Sequence, residues 1–264
     1  MSCIVGDVKG VTQLGLNDVV YMVCRKSSSV LRFNAIRHQQ LTDINVKDLE
    51  DPTDIAVCEQ TSQLYVPDYR GECIWRVSAD GADVKRWWSK SSSDAFKPWK
   101  LSVTSTRLLV TSWNASQLMQ LDAIGNQLRY VQLSRYMDIQ HAVESPTGTF
   151  IVGHHNTQLN QCQVSEVDTD GEELRQFSGS HLPSLGWPEH VAVDSHGNVI
   201  VADSLNRRIL LLNAQLKLRR VIIDKHQLND QRPLRLCYMK QTGQLLVALE
   251  NLRKNVMVFD VLHR

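Results

Sequence analysis

The sequence predicts an all-β fold, a ring of six four-stranded antiparallel blades, and three observations predict it. A short apolar core recurs six times: MVC (22–24), YVP (65–67), LVT (109–111), IVG (151–153), IVA (200–202) and LVA (246–248). Its central valines, Val23, Val66, Val110, Val152, Val201 and Val247, lie 43, 44, 42, 49 and 46 residues apart. Period-two apolar runs flank each core, as expected of half-buried strands, and turn residues separate the runs. Four short strands repeating at a period in the forties are the signature of a β-propeller.

The clearest unit is VAVDSHGNVIVADSLNRRILLLN, residues 191–213. Val191 and Val193 alternate into a first strand, Gly197-Asn198 forms a tight turn, and Val199 and Val201 alternate into a second. A polar stop at Asn206-Arg207-Arg208 precedes a third run, Ile209 to Leu212. Such a meander has open edges and needs neighbours.

The same inner strand is legible as PTDIAV (52–57), PWKLSV (98–103), PEHVAV (188–193) and PLRLCY (233–238), more weakly as QHAVES (140–145), and most weakly as TQLGLN (12–17). Third strands follow as IWRV, LMQLD, VSEVD, ILLLN and VMVFD, and Asp80-Gly81, Ile124-Gly125 and Asp170-Gly171 mark turns into fourth strands. The residue after each central valine is Cys24, Pro67, Thr111, Gly153, Ala202 or Ala248, a slot kept small. The last unit stops after its third strand, so SCIVGDV (2–8) is expected to add its outer strand and close the ring. In RWWSKSSSDAFKPWK (86–100), Trp87 and Trp88 are expected to end an outer strand, with one of them covering a seam, ahead of a flexible loop from Ser89 to Asp94.

No Trp-Asp dipeptide and no Gly-Gly doublet occurs, so neither the WD40 nor the kelch pattern is present. Residues 187–213, with proline, the AVD run, a Gly-Asn turn and VADSLNRRI, resemble an NHL repeat, and Asn206-Arg207-Arg208 stands where that family has its Asn-His-Leu-like signature. The resemblance implies an NHL-type six-bladed propeller, similar to the C-terminal domain of tripartite-motif proteins. Some domains of that class bind RNA on the top face. RING and B-box zinc-ligand spacing is absent from these 264 residues.

One domain spanning 1–264 fits the length. No run of eighteen apolar residues occurs, and MSCIVGDVKG lacks the basic start and apolar segment of a signal peptide. A monomeric cytoplasmic domain is expected. The six cysteines form no CxxC pair and read as reduced thiols, those at 24 and 237 in small interior slots.

Function is expected on the top face, where the loops joining fourth to first and second to third strands emerge. The first-strand alignment puts Gln13, Asp54, Lys100, His141, His190 and Arg235 around the channel mouth, where charged side chains stay wet or gather an anion. The loops add Arg25, Lys26, Tyr69, Arg70, Trp113, Asn114, His154, His155, Asn156, Asn206, Arg207, Arg208, Arg253 and Lys254, together with Trp99. Rings among cations suit single-stranded RNA, with bases stacked and phosphates met by Lys and Arg. They equally suit a protein partner, since Trp, Tyr and Arg anchor interfaces. The balance of 29 basic and 28 acidic residues gives no strongly basic footprint. No DNA duplex, membrane, cofactor, metal or catalytic residue is expected. The alternative is a metal-dependent hydrolase or lyase at the channel mouth. Its candidate ligands are thin: His141 and His190 come from adjacent blades, and Asp54 is expected across the ring.

Overall fold

A computed structural model of the chain describes residues 7–15, 18–37, 39–91, 95–104, 106–112, 115–179, 184–194, 196–239, 242–250 and 256–260. The apolar alternation produces strands, and the turns fold them into six antiparallel sheets with their strands in sequence order. The second to fifth blades have four strands each, such as Gln63–Asp68 and Cys73–Ser78 in the second and Val199–Asp203 and Arg208–Leu212 in the fifth. In the first, the short segments Gln39–Gln40 and Ile44–Asn45 both pair with the third strand, Ser29–Asn34. The sixth has three strands among the described residues, Pro233–Met239, Gln244–Leu249 and Val256–Asp260. No described helix is long and apolar enough to cross a membrane.

Each blade buries both faces. In the fifth, Val199 and Val201 pack toward the fourth blade with Ile151 and Val164. Ile200 and Ala202, one residue out of phase, pack toward the sixth with Leu236 and Val247. Six apolar clusters result, one at each seam. Trp87 and Trp88 both cover the seam between the second and third blades, with Trp87 set edge-on to Tyr65 at 4.9 Å. Of the flexible loop expected over residues 89–94, Ser89 instead ends the outer strand Val84–Ser89 and Lys90 pairs with Glu72 at 3.1 Å, while residues 92–94 lie outside the described residues. The small slots carry the close approaches: a Cβ added to Gly153 would lie 3.0 Å from the Pro188 carbonyl oxygen.

The first blade corrects the sequence reading. Its inner strand is Val8–Leu14, four residues earlier than TQLGLN. Val8 therefore belongs to this strand, pairing with Cys24, and not to the outer edge of the last blade. Residues 1–6 of the expected closing strand lie outside the described residues. Among described residues, the first and last blades meet through Val8, Val11, Val20 and Met22 against Leu246, Ala248 and Val256.

All six inner strands share an irregularity near their start. One extra residue is inserted between Val8 and Gly10, Pro98 and Lys100, Ile139 and His141, Pro188 and His190, and Pro233 and Arg235. In the second blade the pairs Pro52↔Asp68 and Ala56↔Tyr65 enclose the same excess. Such a bulge re-aims the side chains beside it. Here it turns Asp54, Lys100, His141, His190 and Arg235 toward the axis at one level.

The expected glycine turns are present, with Gly81, Gly125 and Gly171 at φ of 82°, 100° and 92°. At Gly171 a Cβ would come within 2.0 Å of the Gln132 carbonyl oxygen on the preceding blade. Gly171→Ala combines a positive-φ penalty with that clash, so it should cost about 1–3 kcal/mol of stability. Urea unfolding measures this, and an unchanged midpoint would show that the turn and its seam are not tightly coupled.

Candidate functional site at the axis and the top face

The six inner strands converge on the axis, and what converges is a buried charge cluster. Lys100, fully buried, donates from Nζ to Glu189 Oε1 and to the Glu189 carbonyl oxygen, both at 2.9 Å. Arg235, 3 % exposed, donates to Glu189 Oε1 at 3.1 Å and to the Thr53 carbonyl oxygen at 3.2 Å. Its Nε lies 3.5 Å from Asp54 Oδ1. Asp54 accepts the backbone N–H of Ile55 at 3.0 Å and of Leu101 at 3.2 Å. Thr53 Oγ1 ties the second blade to the third by donating to the Trp99 carbonyl oxygen.

Two buried cations and the buried Asp54 carboxylate thus compensate one another together with Glu189, which keeps an edge toward the top side. Burial opposes the Glu189 charge, but Lys100 and Arg235 outweigh it and hold the carboxyl down to about 2. Burial and the neighbouring Arg235 pull Lys100 down to about 8. Burial raises Asp54 above the ordinary carboxylate range, against the pull of Arg235 and Lys100.

His141 and His190 complete the cluster as a stacked pair, with ring centroids 3.7 Å apart and planes 20° apart. Burial, reinforced by Lys100 and Arg235, holds both well below the usual histidine range, and His141 further depresses His190. Both rings are therefore neutral at pH 7. His141 Nδ1 accepts the Val191 N–H at 3.4 Å. A neutral imidazole accepting at Nδ1 carries its proton on Nε2.

These facts correct the expected channel mouth. Lys100, His141, His190 and Arg235 form a buried plug and not a wet rim. Asp54 comes from the blade opposite that of His190, as expected, yet the three offer ligand atoms within 4.8 Å of one another. The axis is narrow enough that opposite blades meet. Gln13 does not share this level. The bulge register puts Gly10 there, where a Cβ would lie 2.4 Å from the Ile55 nitrogen. Sequence reading also missed Glu189 as the partner of both cations. Its signal was its place as the bulge residue between Pro188 and His190.

The trio Asp54, His141 and His190 has the residue types of a metal centre, but two of its members are otherwise engaged. The carboxylate is held by two amides and faces a guanidinium, one histidine lone pair accepts a backbone N–H, and two cations stand alongside. Zinc needs converging, deprotonated ligands without such competition.

The Asn206-Arg207-Arg208 stop is mostly structural. Asp203, fully buried, accepts from Gly186 N at 2.8 Å, Asn206 Nδ2 at 2.9 Å and Arg208 Nε at 2.7 Å. Arg207 alone turns outward, at φ 53°, and pairs with Asp230 at 3.1 Å. Asp68 acts likewise in the second blade, accepting from Glu50 N, Asp51 N and Gly71 N at 2.9, 3.0 and 3.1 Å. Both carboxylates fasten a top loop to its blade, as turn-forming residues do.

Elsewhere on the top face, Tyr69 packs edge-on to Trp99 at 5.6 Å, and Lys97 stands 5.4 Å over the Tyr69 ring. Arg70 is exposed, 3.8 Å from Asp51. His155 stacks on Trp187 at 5.8 Å. Leu159 and Leu205 are 59 % and 52 % exposed on the loops of neighbouring blades. Trp113, Asn114, Arg253 and Lys254 lie outside the described residues. The described cysteines 24, 58, 73, 162 and 237 are unbridged. Burial pushes the thiols of Cys24, Cys162 and Cys237 up to about 11 and that of Cys73 to about 12.

No protein-family model and no curated protein matches the chain. Solved structures share its fold. A putative gluconolactonase superposes with a TM-score of 0.74 at 10 % identity, over 97 % of this chain and 89 % of that one. Virginiamycin B lyase from Staphylococcus aureus, solved with quinupristin, gives 0.67 at 11 % identity, over 92 % and 77 %. The Cps50 (Swd1) propeller domain of Myceliophteria thermophila gives 0.67 at 10 % identity, over 100 % and 86 %. Likeness at such identity speaks for the fold alone. The chain is an all-β six-bladed propeller.

Replacing Glu189 by Gln leaves two buried cations without their shared carboxylate and should cost about 3–5 kcal/mol in urea unfolding. Folded Glu189 stays ionised down to about pH 2, against an ordinary value of 4.5. Its stabilisation is therefore complete above pH 4.5 and disappears as pH falls through about 2, and the gap between wild type and variant should close over that window. A gap that stays constant across that window would refute the ion-paired role. Purified protein should carry no stoichiometric zinc or calcium by elemental analysis. One zinc per chain, lost in His190→Ala, would establish the trio as a metal centre.

Proposed function

We propose that the chain is a non-enzymatic recognition module of the NHL type that binds a protein partner through its top face. One observation carries this reading over RNA: five of the cations expected to meet phosphate are already engaged by carboxylates, which leaves Arg25 and Lys26, exposed on the first blade, outside any ion pair among the described residues. Arg70 faces Asp51, Arg207 Asp230, Arg208 Asp203, Lys100 Glu189, and Arg235 both Glu189 and Asp54. A phosphate backbone would have to displace these carboxylates or lie beside them. The net charge of +1 adds no long-range attraction for a polyanion.

The same face suits a protein. Leu159 and Leu205 offer exposed apolar surface on loops of the fourth and fifth blades, which also supply the His155–Trp187 stack, and Tyr69 with Trp99 gives a second aromatic patch. Aromatic and arginine side chains at the centre of a patch are the usual energetic anchors of an interface. Chemistry at the axis, as in a metal-dependent hydrolase or lyase, would need the Asp54–histidine trio released from its present hydrogen bonds. The resemblance of residues 187–213 to the NHL repeat supports the module reading, and a reducing cytoplasmic setting accords with the unbridged thiols.

Affinity capture tests the proposal, with wild type, a Leu159→Asp/Leu205→Asp double variant, and Ile124→Asp on the opposite face as baits. A specific protein partner, confirmed by calorimetry with purified components, should lose about tenfold or more in affinity with the double variant. Ile124→Asp should leave it unchanged. Fluorescence anisotropy with a randomised single-stranded RNA pool should show binding no tighter than a folded control of matched charge. Tight RNA binding that falls steeply with salt, at about 0.7 logarithmic units per phosphate contact, would overturn the protein reading.

A further inference from the structure

The ion-paired plug divides the axial channel. On the top side lies a small space lined by Asp7, Lys9, Glu189, Arg235 and Glu250. On the other side, toward the hairpins that join first to second strands, lies a cavity of about 710 Å³. We propose that this larger cavity binds a small, uncharged organic molecule bearing a hydroxyl or carbonyl oxygen, entered from the hairpin face, opposite the top face and independent of any partner there.

The size falls within the range of pockets that enclose small ligands, and the wall combines apolar surface with a few polar groups. Val57, Val103, Val143 and Val193, from four different blades, supply apolar surface. The polar end is the histidine pair, which lines the cavity where the plug begins. His141 is 1 % exposed and His190 9 % exposed. His141 Nε2, near the Leu101 backbone, makes no well-formed hydrogen bond in the protein, and His190 Nδ1 and Gln13 Oε1, farther along the same wall, have no partner.

A buried polar atom without a partner is costly, so native interiors rarely leave several in one place. Three under-satisfied atoms in one cavity make a row of hydrogen-bonding positions whose complement is a polar molecule. The tautomer sets its chemistry: His141 presents an N–H, which requires an oxygen acceptor. Charge is disfavoured at the histidine end, whereas the ionisable residues of the wall, Asp18, Glu59, Asp194 and the ion-paired Arg107 and Glu144, stand at the strand ends and hairpins of the mouth. The two rings are neutral, and the cations behind them are matched by Asp54 and Glu189, so neither a carboxylate nor an ammonium group finds an unmatched counter-charge at that end.

The test uses the full chain and four probes of one size: cyclohexanol, cyclohexanone, cyclohexanecarboxylate and cyclohexylammonium. Long-range proton–nitrogen spectra of the imidazoles report on the two rings directly. In the free protein His141 should appear as a neutral ring with its proton on Nε2. Millimolar cyclohexanol or cyclohexanone should shift both His141 and His190, and the two charged probes should shift neither. Val143→Trp, which fills the cavity away from the histidines, should abolish the shifts; Val193→Phe serves in its place if that chain does not fold. The proposal is overturned if neither neutral probe moves the rings, which would leave water as the occupant. It is equally overturned if the charged probes bind as well, or if the shifts survive in the filled variant.

Discussion

The ring depends on strands that must bury both faces. A meander with one apolar face can lie on a helix or a second sheet. A meander whose residues are apolar in both phases needs a neighbour on each side. Val199 and Val201 in one phase and Ile200 and Ala202 in the other serve different seams. Repeating that arrangement leaves two unsatisfied faces at the ends of any open stack, and closing the stack removes them. The contact of Val8, Val11, Val20 and Met22 with Leu246, Ala248 and Val256 is that closure. The seams are sheet-on-sheet interfaces in which small residues matter as much as large ones. Gly153 under Pro188 and Gly171 against Gln132 are points where a methyl group has no room.

Closure has an electrostatic consequence. Six inner strands meeting at an axis bring side chains from distant positions in sequence to one level. Asp54, Lys100, His141, His190 and Arg235 span 182 positions (54 to 235 inclusive), yet they share one buried site. Charges so placed cannot be left to solvent and must be matched, because an unpaired buried ion costs several kcal/mol. Glu189 and Asp54 match Lys100 and Arg235, and the histidines meet the same constraint by staying neutral. The one-residue bulge makes the matching feasible, since it turns Glu189 and its neighbour His190 to the same axis from consecutive positions.

The sequence carried the fold because the fold rests on local periodicity and turn chemistry, and both are written in consecutive residues. Five of the valine-centred cores and the glycine turns are such signals; in the first blade Met22, not Val23, takes the central place, facing the preceding blade. The first inner strand was misplaced because VKGVTQL lacks the proline that marks four of the others, and its glycine at the axial level resembles none of them. The site was legible in membership and not in state. Alignment put Asp54, Lys100, His141, His190 and Arg235 together, but burial depends on how closely the inner strands approach, and no single strand records that distance. Glu189 was overlooked for a related reason. A residue in a bulge follows neither phase of the alternation, so period-two reading assigns it to a loop. The structural part of Asn206 and Arg208 became visible only with Asp203, whose carboxylate they hold.

The plug also bears on how the two sides of the ring relate. Glu189 lines the space on the top side and accepts from Lys100 and Arg235, and both cations act on the histidines at the end of the larger cavity. One carboxylate therefore stands between the two sides. Its charge is fixed over the whole neutral range, whereas Lys100, held down to about 8, begins to lose its proton on the alkaline side of neutrality. Local electrostatics link the sides without requiring either to move. Coupling between ligands on opposite faces would need two discrete arrangements of the cluster. The packing argues for one: Asp54 is held by two amides, and Arg235 is held by Glu189 and the Thr53 carbonyl. A cluster so tied acts as a partition. The top face and the axial cavity are then separate surfaces on one rigid ring, each answerable to its own chemistry.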